Sequence, residues 1–342
     1  MQTYTLKVIE IKQETNDSVT LCFKQPLLKK IKYQAGQYLT ISIRINNRRY
    51  IRPYSFSSSP SVDSYLEITI KRVPEGIVSN YIYDHIKVGD SIEAMQPMGD
   101  FTLPEKDFTS IFLWGVGSGI TPLFSLIKFI LNTNPNFKVN LIYGNRNKES
   151  TMFYEQLSNL EELYKDSLKV SHFHSQLNYD ENLLGIFKGR INPNSILDRI
   201  NKEELLSSVH FICGPIGLKE ALKETLKNYN IANENIFTED FELVKNPKDF
   251  ENIETRNINL NFKGKNHILE IAQGKSILEA ALDADLELSY SCQTGSCSTC
   301  KGFLKTGSLK MIGLSKERDD LLENEYLLCC SYPLNNEVTI EI

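Results

Sequence analysis

The cysteines of this chain are unevenly distributed. Five of the seven lie between residues 292 and 330, and three of these follow the spacing Cys292-x4-Cys297-x2-Cys300. That spacing is typical of loops that hold a [2Fe–2S] cluster on thiolates. The loop itself, SCQTGSCSTC, consists mostly of small residues, which leaves room for backbone amides to point at sulfur, and Gly295 is suited to a positive φ. The spacing therefore predicts a [2Fe–2S] cluster held by this loop and one further cysteine.

The fourth ligand is one of two adjacent cysteines, Cys329 and Cys330. The run around them resembles the ending of ferredoxins, in which the ligand lies four residues before a proline, and this favours Cys329. Counting from the aromatic Tyr326 would favour Cys330 instead. We predict Cys329. A zinc site and a group of buried cysteines are the alternatives, but structural zinc sites usually contain two separate C-x2–4-C pairs, and the three spaced cysteines here supply only one separate pair.

A glycine-rich loop occupies residues 115–122, GVGSGITP, between an apolar stretch and a predicted helix. Glycines let a diphosphate approach the backbone, and a helix N-terminus supplies positive partial charge. Thr121 is predicted to cap the helix and Pro122 to lie in its first turn. The pattern favours a dinucleotide-binding loop, with a tight strand-to-helix turn as the alternative.

A second strand-to-helix junction occurs at Cys213-Gly214-Pro215. Parallel sheets bind ligands at the carboxyl ends of their strands, where this junction would lie. From the spacing alone, however, Cys213 is better interpreted as an inert buried residue.

Two segments of the first third carry groups suited to a phosphorylated aromatic ligand. In residues 52–58, RPYSFSS, arginine offers a fork for phosphate, tyrosine a face for a ring, and the serines hydroxyl donors. Alone, this run could also be a polar strand end. Residues 76–80, GIVSN, would place small residues and amides at the start of a helix through about His85, which makes them a candidate anion site.

The elements that must position these residues change character along the chain. Up to about residue 105, apolar and polar residues alternate, which is typical of a small antiparallel β-barrel or sandwich. From residue 109, apolar runs alternate with helical segments, which predicts a parallel α/β sheet. A polar linker follows, and then two short strands and a helix opened by a capping box of Ser276 and Glu279.

Composition and two segments of the sequence argue against a nucleic-acid-binding, a secreted or a membrane protein. The chain is 41% hydrophobic and 24% charged with a net charge of −5, which gives no reason to expect nucleic acid or an anionic membrane as partner. Residues 1–10 alternate like a strand and lack the features of a signal peptide. The apolar stretch 111–131 is interrupted by glycines and a proline, so we do not interpret it as a membrane span. We expect a cytoplasmic protein whose cysteines form no disulfide framework.

Together these motifs resemble those of the ferredoxin–NADP⁺ reductase superfamily. RPYSFSS resembles its R-x-Y-S flavin motif, and GIVS resembles its G-x-x-S flavin-diphosphate motif. GVGSGITP resembles its nicotinamide-dinucleotide loop, and CGP the element beside the nicotinamide ring. A plant-type ferredoxin domain behind these motifs is similar to the order in oxygenase-type reductases, such as those of phenylacetyl-CoA epoxidase and phenol hydroxylase. The resemblance covers nearly the whole chain.

The resemblance implies an antiparallel β-barrel FAD-binding domain (1–105), an α/β parallel-sheet NAD(P)-binding domain (106–244), a linker (245–256) and an α+β, β-grasp [2Fe–2S] ferredoxin domain (257–342). It implies catalytic roles for Ser55 and for Cys213, which would lie near the nicotinamide C4. The residues implied to bind FAD are Arg52, Tyr54, Ser55, Phe56, Ser57, Gly76, Val78 and Ser79. Those implied to bind the pyridine nucleotide are Gly115, Gly117, Gly119, Thr121, Gly214 and Pro215. Residues 238–241, TEDF, resemble a family segment near the flavin.

The choice between NADH and NADPH stays open. Relatives that use NADPH often carry a Ser-Arg pair after the middle strand, where this chain has His174-Ser175-Gln176. His172 and His174 could suggest a metal site, but alternation along a strand explains them better.

The combined motifs predict an NAD(P)H-dependent reductase that passes electrons through FAD and the cluster to an oxygenase, with aromatic or phenylacetyl-CoA degradation as one setting. A flavin is needed between the two ends because a hydride delivers two electrons and a [2Fe–2S] cluster accepts one. Plant-type clusters lie near about −400 mV, which suits a donor to an oxygen-activating metal. Alternative acceptors are a desaturase, a ferredoxin or a hybrid-cluster protein, and a redox sensor or electron carrier is the alternative from another class. Five acidic residues could form a docking face or a solvated helix end: Glu317, Asp319, Asp320, Glu323 and Glu325.

Overall fold

The computed structural model describes residues 2–25, 30–60, 62–176, 185–198, 200–314 and 317–342. The chain divides into two compact units. The first consists of Met1–Ile41 and Tyr54–Glu239, and the second of Ser42–Pro53 and Asp240–Ile342. Among the helices in the described ranges, none combines the length and apolar character needed to cross a bilayer.

The first third of the chain forms a six-stranded sheet in the order β4-β3-β6-β1-β2-β5, followed in sequence by helix α1 (Ile77–His85). Its strands β1 and β2 pair antiparallel, as do β1 and β6, and β2 and β5. A bridge between Phe56, just past β4, and Ile68 of β5 joins the two edges, so the sheet closes as the predicted β-barrel. The strands are β1 (Thr3–Thr15), β2 (Ser18–Phe23), β3 (Tyr38–Ile45), β4 (Arg48–Ser55), β5 (Leu66–Lys71) and β6 (Ser91–Met95).

The middle of the chain forms a six-stranded sheet in the order β10-β9-β8-β7-β11-β12, in which all five neighbouring pairs are parallel. Successive residues of β7 are buried on opposite faces, since Leu113 packs with α2 and Trp114 with α6. The strands are β7 (Ser110–Val116), β8 (Lys138–Asn145), β9 (Leu168–His174), β10 (Ile186–Lys188), β11 (Ser208–Cys213) and β12 (Ile236–Glu239). The helices are α2 (Ile120–Thr133), α3 (Tyr154–Leu163), α4 (Pro193–Leu197), α5 (Lys202–Leu206) and α6 (Ile216–Asn228).

The start of α2 differs from the sequence-based prediction. A 3₁₀ turn, Gly117–Gly119, precedes the helix, which begins at Ile120, and no described side chain caps it. The predicted cap, Thr121, lies inside the first turn and donates from Oγ1 to the Ser118 carbonyl at 3.0 Å. The prediction of Thr121 as the cap was wrong because the 3₁₀ turn moves the helix start toward the glycine loop.

The last part of the chain forms a five-stranded sheet in the order β14-β13-β19-β15-β17 and a two-stranded sheet of β16 and β18. Its helix α7 (Ile277–Asp283) begins with the predicted capping box, in which Ser276 and Glu279 bond reciprocally. Strand β19 lies between β13, to which it is parallel, and β15, to which it is antiparallel. The strands are β13 (Arg256–Phe262), β14 (Lys265–Ile271), β15 (Lys301–Thr306), β16 (Leu309–Met311), β17 (Glu325–Leu327), β18 (Ser331–Pro333) and β19 (Thr339–Glu341).

The segment predicted as a linker is held against this last part of the chain. It contains a 3₁₀ helix, Pro247–Phe250, and the buried Ile253, which packs with Ile312 and Tyr332. Phe250 and Ile253 dock this polar stretch, because they bury apolar surface against the second unit.

Candidate functional site

The two strand-to-helix junctions of the parallel sheet meet at one point. Strands β7 and β11 are neighbours, and Gly115 lies opposite Cys213. Strand order reverses direction here, since β8 follows β7 on one side and β11 flanks it on the other, and such switch points are where open α/β sheets bind ligands. A Cβ at Gly119 would lie 2.0 Å from the Cys213 carbonyl oxygen. The predicted nucleotide loop therefore packs directly on the CGP junction.

The shape of the glycine loop is fixed by groups that the sequence did not single out. The buried Tyr143 of β8 donates from its hydroxyl to the Gly117 carbonyl at 3.1 Å, and Gly117 has a φ of +55°. Thr121 is buried and, through its bond to Ser118, holds the loop from inside. Of the other predicted nucleotide contacts, Gly214 is half-buried and Pro215 exposed beside this loop. A cradle of glycines that a Cβ would fill fits a bound dinucleotide.

Ser55 joins the flavin motif to the end of the parallel sheet. Its side chain is buried, and its hydroxyl donates to Glu239 Oε2 at 3.2 Å. Glu239 is the last residue of β12 and belongs to the segment predicted to lie near the flavin. The bond places a hydroxyl and a carboxylate together, which suits hydrogen bonding to the polar edge of a flavin ring.

Other members of the RPYSFSS run support the motif from the barrel interior. Phe56 is fully buried with its ring centroid 4.1 Å from that of Tyr33. Ser57 is fully buried and accepts from Thr69 Oγ1 at 2.8 Å. Because protein groups surround both side chains, we interpret them as supports of the half-buried Tyr54 and not as side-chain contacts of the flavin.

Arg52 lies in the second compact unit, next to Ile51, whose backbone is hydrogen-bonded to the cysteine-loop region. Its Nη1 donates to the Ile51 carbonyl at 2.8 Å, and Gln293 Nε2 donates to the same carbonyl at 3.3 Å. The Ile51 amide donates to the Tyr290 hydroxyl at 3.1 Å. Ile51, which precedes the flavin motif, is therefore hydrogen-bonded through both its amide and its carbonyl to residues close to Cys292 in the sequence.

The GIVSN segment opens α1 as predicted, with Gly76 at the helix N-cap. Ser79 is buried and its Oγ accepts from the Val73 amide at 3.1 Å, so the hydroxyl shapes the turn before the helix. A Cβ at Gly76 would lie 2.7 Å from that Oγ. Val78 is buried. No described side chain caps the helix, which leaves its first amides suited to a diphosphate.

The cysteines predicted as cluster ligands come together in the second unit. Cys292, Cys300 and Cys329 are 5%, 4% and 6% exposed, whereas Cys297 is half-buried. The Cys292 sulfur lies within hydrogen-bonding reach of the thiols of Cys297 and Cys329, and Cys329 also reaches Cys300. The Cys297 thiol, donating to it, lowers the pKa of Cys292. The four side chains therefore share one site.

The loop backbone is arranged around these sulfurs. The amides of Thr294 and Cys297 donate to Cys292 Sγ at 3.4 and 3.3 Å. Gly295 has the expected positive φ, +75°, and a Cβ there would lie 2.5 Å from Leu314. Amides aimed at sulfur in a loop of small residues fit a [2Fe–2S] cluster.

Cys330 lies beside the shared site and is within hydrogen-bonding reach of Cys329. It is fully buried and donates to the Leu327 carbonyl at 3.3 Å. Of the two adjacent cysteines, Cys329 is the one whose sulfur reaches both Cys292 and Cys300. Within the described residues, no three His, Cys, Asp or Glu side chains converge as around a single metal ion. A [2Fe–2S] rhomb instead distributes four thiolates over two irons.

The histidines of β9 follow the predicted alternation. His172 and His174 are both buried, with ring centroids 5.9 Å apart. Burial lowers the pKa of His172 to about 4, so its ring is neutral at pH 7. They belong to the interior face of the strand, as alternation implies.

Arg318 is a residue of the cluster region that sequence reasoning missed. Its side chain is 5% exposed and contacts the carbonyls and a hydroxyl of the cysteine loop. In the sequence it stands in a charged run, ERDD, with nothing to distinguish it from a solvated surface.

Three family models match the chain in the order of these sites. The oxidoreductase FAD-binding domain matches residues 5–103, the oxidoreductase NAD-binding domain 113–224, and the 2Fe-2S iron-sulfur cluster binding domain 260–334. The chain therefore belongs to the ferredoxin–NADP⁺ reductase family of flavin oxidoreductases, in the branch with a carboxyl-terminal [2Fe–2S] domain.

Its relatives match over nearly their whole length. One component of the 1,2-phenylacetyl-CoA epoxidase from Escherichia coli is 30% identical over 99% of this chain and 97% of its own. The ferredoxin reductase component of 3-ketosteroid-9-alpha-monooxygenase from Rhodococcus rhodochrous is 28% identical over 98% and 96%. The solved structure of phthalate dioxygenase reductase covers 99% of this chain and 98% of its own, with a TM-score of 0.70 and 21% identity, and shows the same fold.

The chain is thus an NAD(P)H-dependent oxidoreductase that passes electrons from NAD(P)H through FAD to a [2Fe–2S] cluster. FAD supplies the step between two-electron and one-electron chemistry when it is bound. The geometry of the chain fits this role: the glycine loop lies at the switch point of the parallel sheet, and the first amides of α1 are not capped by any described side chain. Ser55 and Glu239 provide a hydrogen-bonded hydroxyl and carboxylate at the meeting of the two folds.

The Ser55–Glu239 pair yields a first prediction. We expect Ser55→Ala to slow reduction of the flavin by NAD(P)H about tenfold, because the loss of one oriented hydrogen bond is worth roughly 0.5–1.5 kcal/mol. Anaerobic stopped-flow absorbance at the flavin band measures this rate. Ser110→Ala is the control. Ser110 is also buried, but it lies at the start of β7, at the end of the strand away from the glycine loop, so its replacement should leave the rate unchanged. Equal rates in both variants would show that the pair has no part in the reaction.

Proposed function

We propose that this chain is the reductase component of a multicomponent oxygenase. The observation that carries the proposal is its match over nearly full length to a component of phenylacetyl-CoA epoxidase and to the ferredoxin reductase component of 3-ketosteroid monooxygenase. The glycine cradle and the Ser55–Glu239 pair argue against a sensor with a degenerate reductase half. The acceptor would be an oxygen-activating metal protein, which the low potential of plant-type clusters suits.

We propose the following contacts for the cofactors. FAD is held by Arg52, Tyr54 and Ser55 and by the α1 start at Gly76, Val78 and Ser79. The pyridine nucleotide is held by Gly115, Gly117, Gly119, Gly214 and Pro215, with Cys213 beside the reacting ring. Cys292, Cys297, Cys300 and Cys329 bind the cluster. Burial, the glycine cradle and the shared sulfur site described above support these assignments.

The exit for electrons is proposed at the cluster loop, where Ser296 and Ser298 are exposed and Cys297 is half-buried. The predicted acidic docking face is smaller than its five residues suggest. Asp320 pairs with Arg318, and Glu325 pairs with Lys301 at 2.9 Å. The remaining carboxylates are all exposed, and they flank Arg318 and the exposed Leu322: Glu317, Asp319 and Glu323.

An absorption spectrum of the purified protein tests the electron route. We expect flavin and cluster bands, bleached anaerobically by NADH or NADPH. Absence of flavin bands would overturn the reductase assignment, and bands that neither nucleotide bleaches would favour the sensor.

Turnover with purified candidate oxygenases then tests the acceptor. We expect NAD(P)H consumption to depend on oxygenase and its substrate, and to weaken as salt rises if the acidic face guides docking. Reduction of a desaturase or ferredoxin but not the oxygenase would assign the alternative acceptor.

A further inference from the structure

We propose that Arg318 is a positioning residue of the cluster loop, which fixes the direction of the loop carbonyls and, with Asp320, sets the reduction potential of the [2Fe–2S] cluster. The side chain is 5% exposed, although it comes from a segment whose neighbours, Glu317 and Asp319, are exposed. A buried guanidinium needs partners for its donors, and here those partners are the cysteine loop and one carboxylate.

The contacts of Arg318 use every nitrogen of the guanidinium. Nη1 donates to the carbonyls of Gly295 and Cys297, at 2.5 and 3.2 Å. Nη2 donates to Ser298 Oγ at 2.7 Å and to Asp320 Oδ2 at 2.7 Å, while Nε donates to Asp320 Oδ1 at 2.6 Å. Such a planar fork can serve a loop and a carboxylate together, which a lysine ammonium on a flexible stem cannot reproduce.

These contacts determine which way the loop peptides face. The C=O and N–H of a trans peptide point in opposite directions. Since Gly295 and Cys297 turn their carbonyls toward Arg318, the amides of the next residues, Ser296 and Ser298, point away from it. In the same loop the amides of Thr294 and Cys297 donate to Cys292 Sγ. Arg318 thus holds the peptides on both sides of the Ser296–Cys297 peptide, whose amide donates to Cys292 Sγ.

The charge of Arg318 also lies close to the ligands. The guanidinium interacts favourably with the thiolates of Cys297 and Cys292, and Asp320 opposes its charge. A reduced cluster carries one more negative charge than an oxidised one, so a nearby positive charge stabilises the reduced form. Removing Arg318 and removing Asp320 should therefore shift the potential in opposite directions.

Two substitutions test this on the full-length holoprotein, without any acceptor. We expect Arg318→Gln to lower the cluster potential by the equivalent of about tenfold in the redox equilibrium, which is about 59 mV for one electron, and Asp320→Asn to raise it. Redox titration followed by the electron paramagnetic resonance of the reduced cluster measures both. Arg256→Gln is the matched control, because Arg256 pairs with Glu254, also two residues away and in the same unit, and it should leave the potential unchanged.

Cluster retention separates orientation from charge. Arg318→Lys keeps the charge but not the fork, so we expect near-normal potential with about tenfold faster loss of cluster absorbance under a chelator. Shifts of the same sign in Arg318→Gln and Asp320→Asn, or unchanged potentials in both, would overturn the proposal. Should Arg318→Gln fail to assemble a cluster, Asp320→Asn and Arg318→Lys still decide, since a purely structural role predicts no rise in potential for the former.

Discussion

Cys329→Ala abolishes the visible absorption and iron content of the [2Fe–2S] cluster, whereas Cys330→Ala retains both: this is the largest difference we expect between two adjacent substitutions. The reason is geometric. The Cys329 sulfur reaches those of Cys292 and Cys300, while Cys330 reaches Cys329 and donates to the Leu327 carbonyl. Without its fourth thiolate, one iron of the rhomb loses half of its protein ligands.

The flavin is an internal reference in this experiment. Both variants should keep flavin bands and be reduced by NAD(P)H, because the substitutions lie outside the flavin and nucleotide domains. Iron analysis and absorbance, each divided by flavin content, give the occupancy of the cluster. Retained iron in Cys329→Ala together with lost iron in Cys330→Ala would assign Cys330 as the ligand.

Gly119→Ala should weaken nucleotide binding about ten- to hundredfold. A Cβ there would lie 2.0 Å from the Cys213 carbonyl oxygen, and a backbone atom cannot move aside as a flexible side chain can. Overpacking of this kind costs roughly 1–3 kcal/mol. The strain acts where the glycine loop meets the CGP junction, so the affinity for NAD(P)H should fall more than overall stability. Titration of the oxidised protein with NAD⁺ and with NADP⁺, which bind without reducing the flavin, measures the change in affinity through the flavin spectrum.

Gly217→Ala is the control for this substitution. Gly217 lies in α6 just past the same junction, and a Cβ there would meet no atom within 4 Å. Replacing glycine by alanine inside a helix is stabilising, so this variant should bind nucleotide normally and unfold at the same or a higher temperature. Similar affinities in the two variants would show that close packing at Gly119 does not shape the nucleotide site.

Features encoded within a few residues could be predicted from the sequence. The positive φ of Gly295 and the capping box of Ser276 and Glu279 depend on local geometry, and the structure has both as predicted. The order of barrel, parallel sheet and cluster domain was also predicted, because the period of the hydrophobic pattern changes between them.

Features that depend on distant partners could not be predicted. Thr121 was expected to cap α2, but the preceding turn packs on Cys213 and shifts the helix start. Phe56 and Ser57 belong to a motif with polar neighbours, yet barrel closure buries both. The charged sequence around Arg318 is typical of a surface segment. Its side chain is buried because it hydrogen-bonds to the cysteine loop, which lies about 20 residues earlier in the chain.

The position of β19 has a consequence for how the holoprotein is made. Thr339–Glu341 fills the middle of the five-stranded sheet, between β13 and β15. During synthesis on the ribosome, the loop from Cys292 to Cys300 therefore emerges before the strand that completes the sheet beside it. Until then its thiols are unprotected from oxidation and from adventitious zinc. We therefore expect stable cluster binding to follow translation of β19, which would make iron–sulfur assembly a late step in the maturation of this flavoprotein.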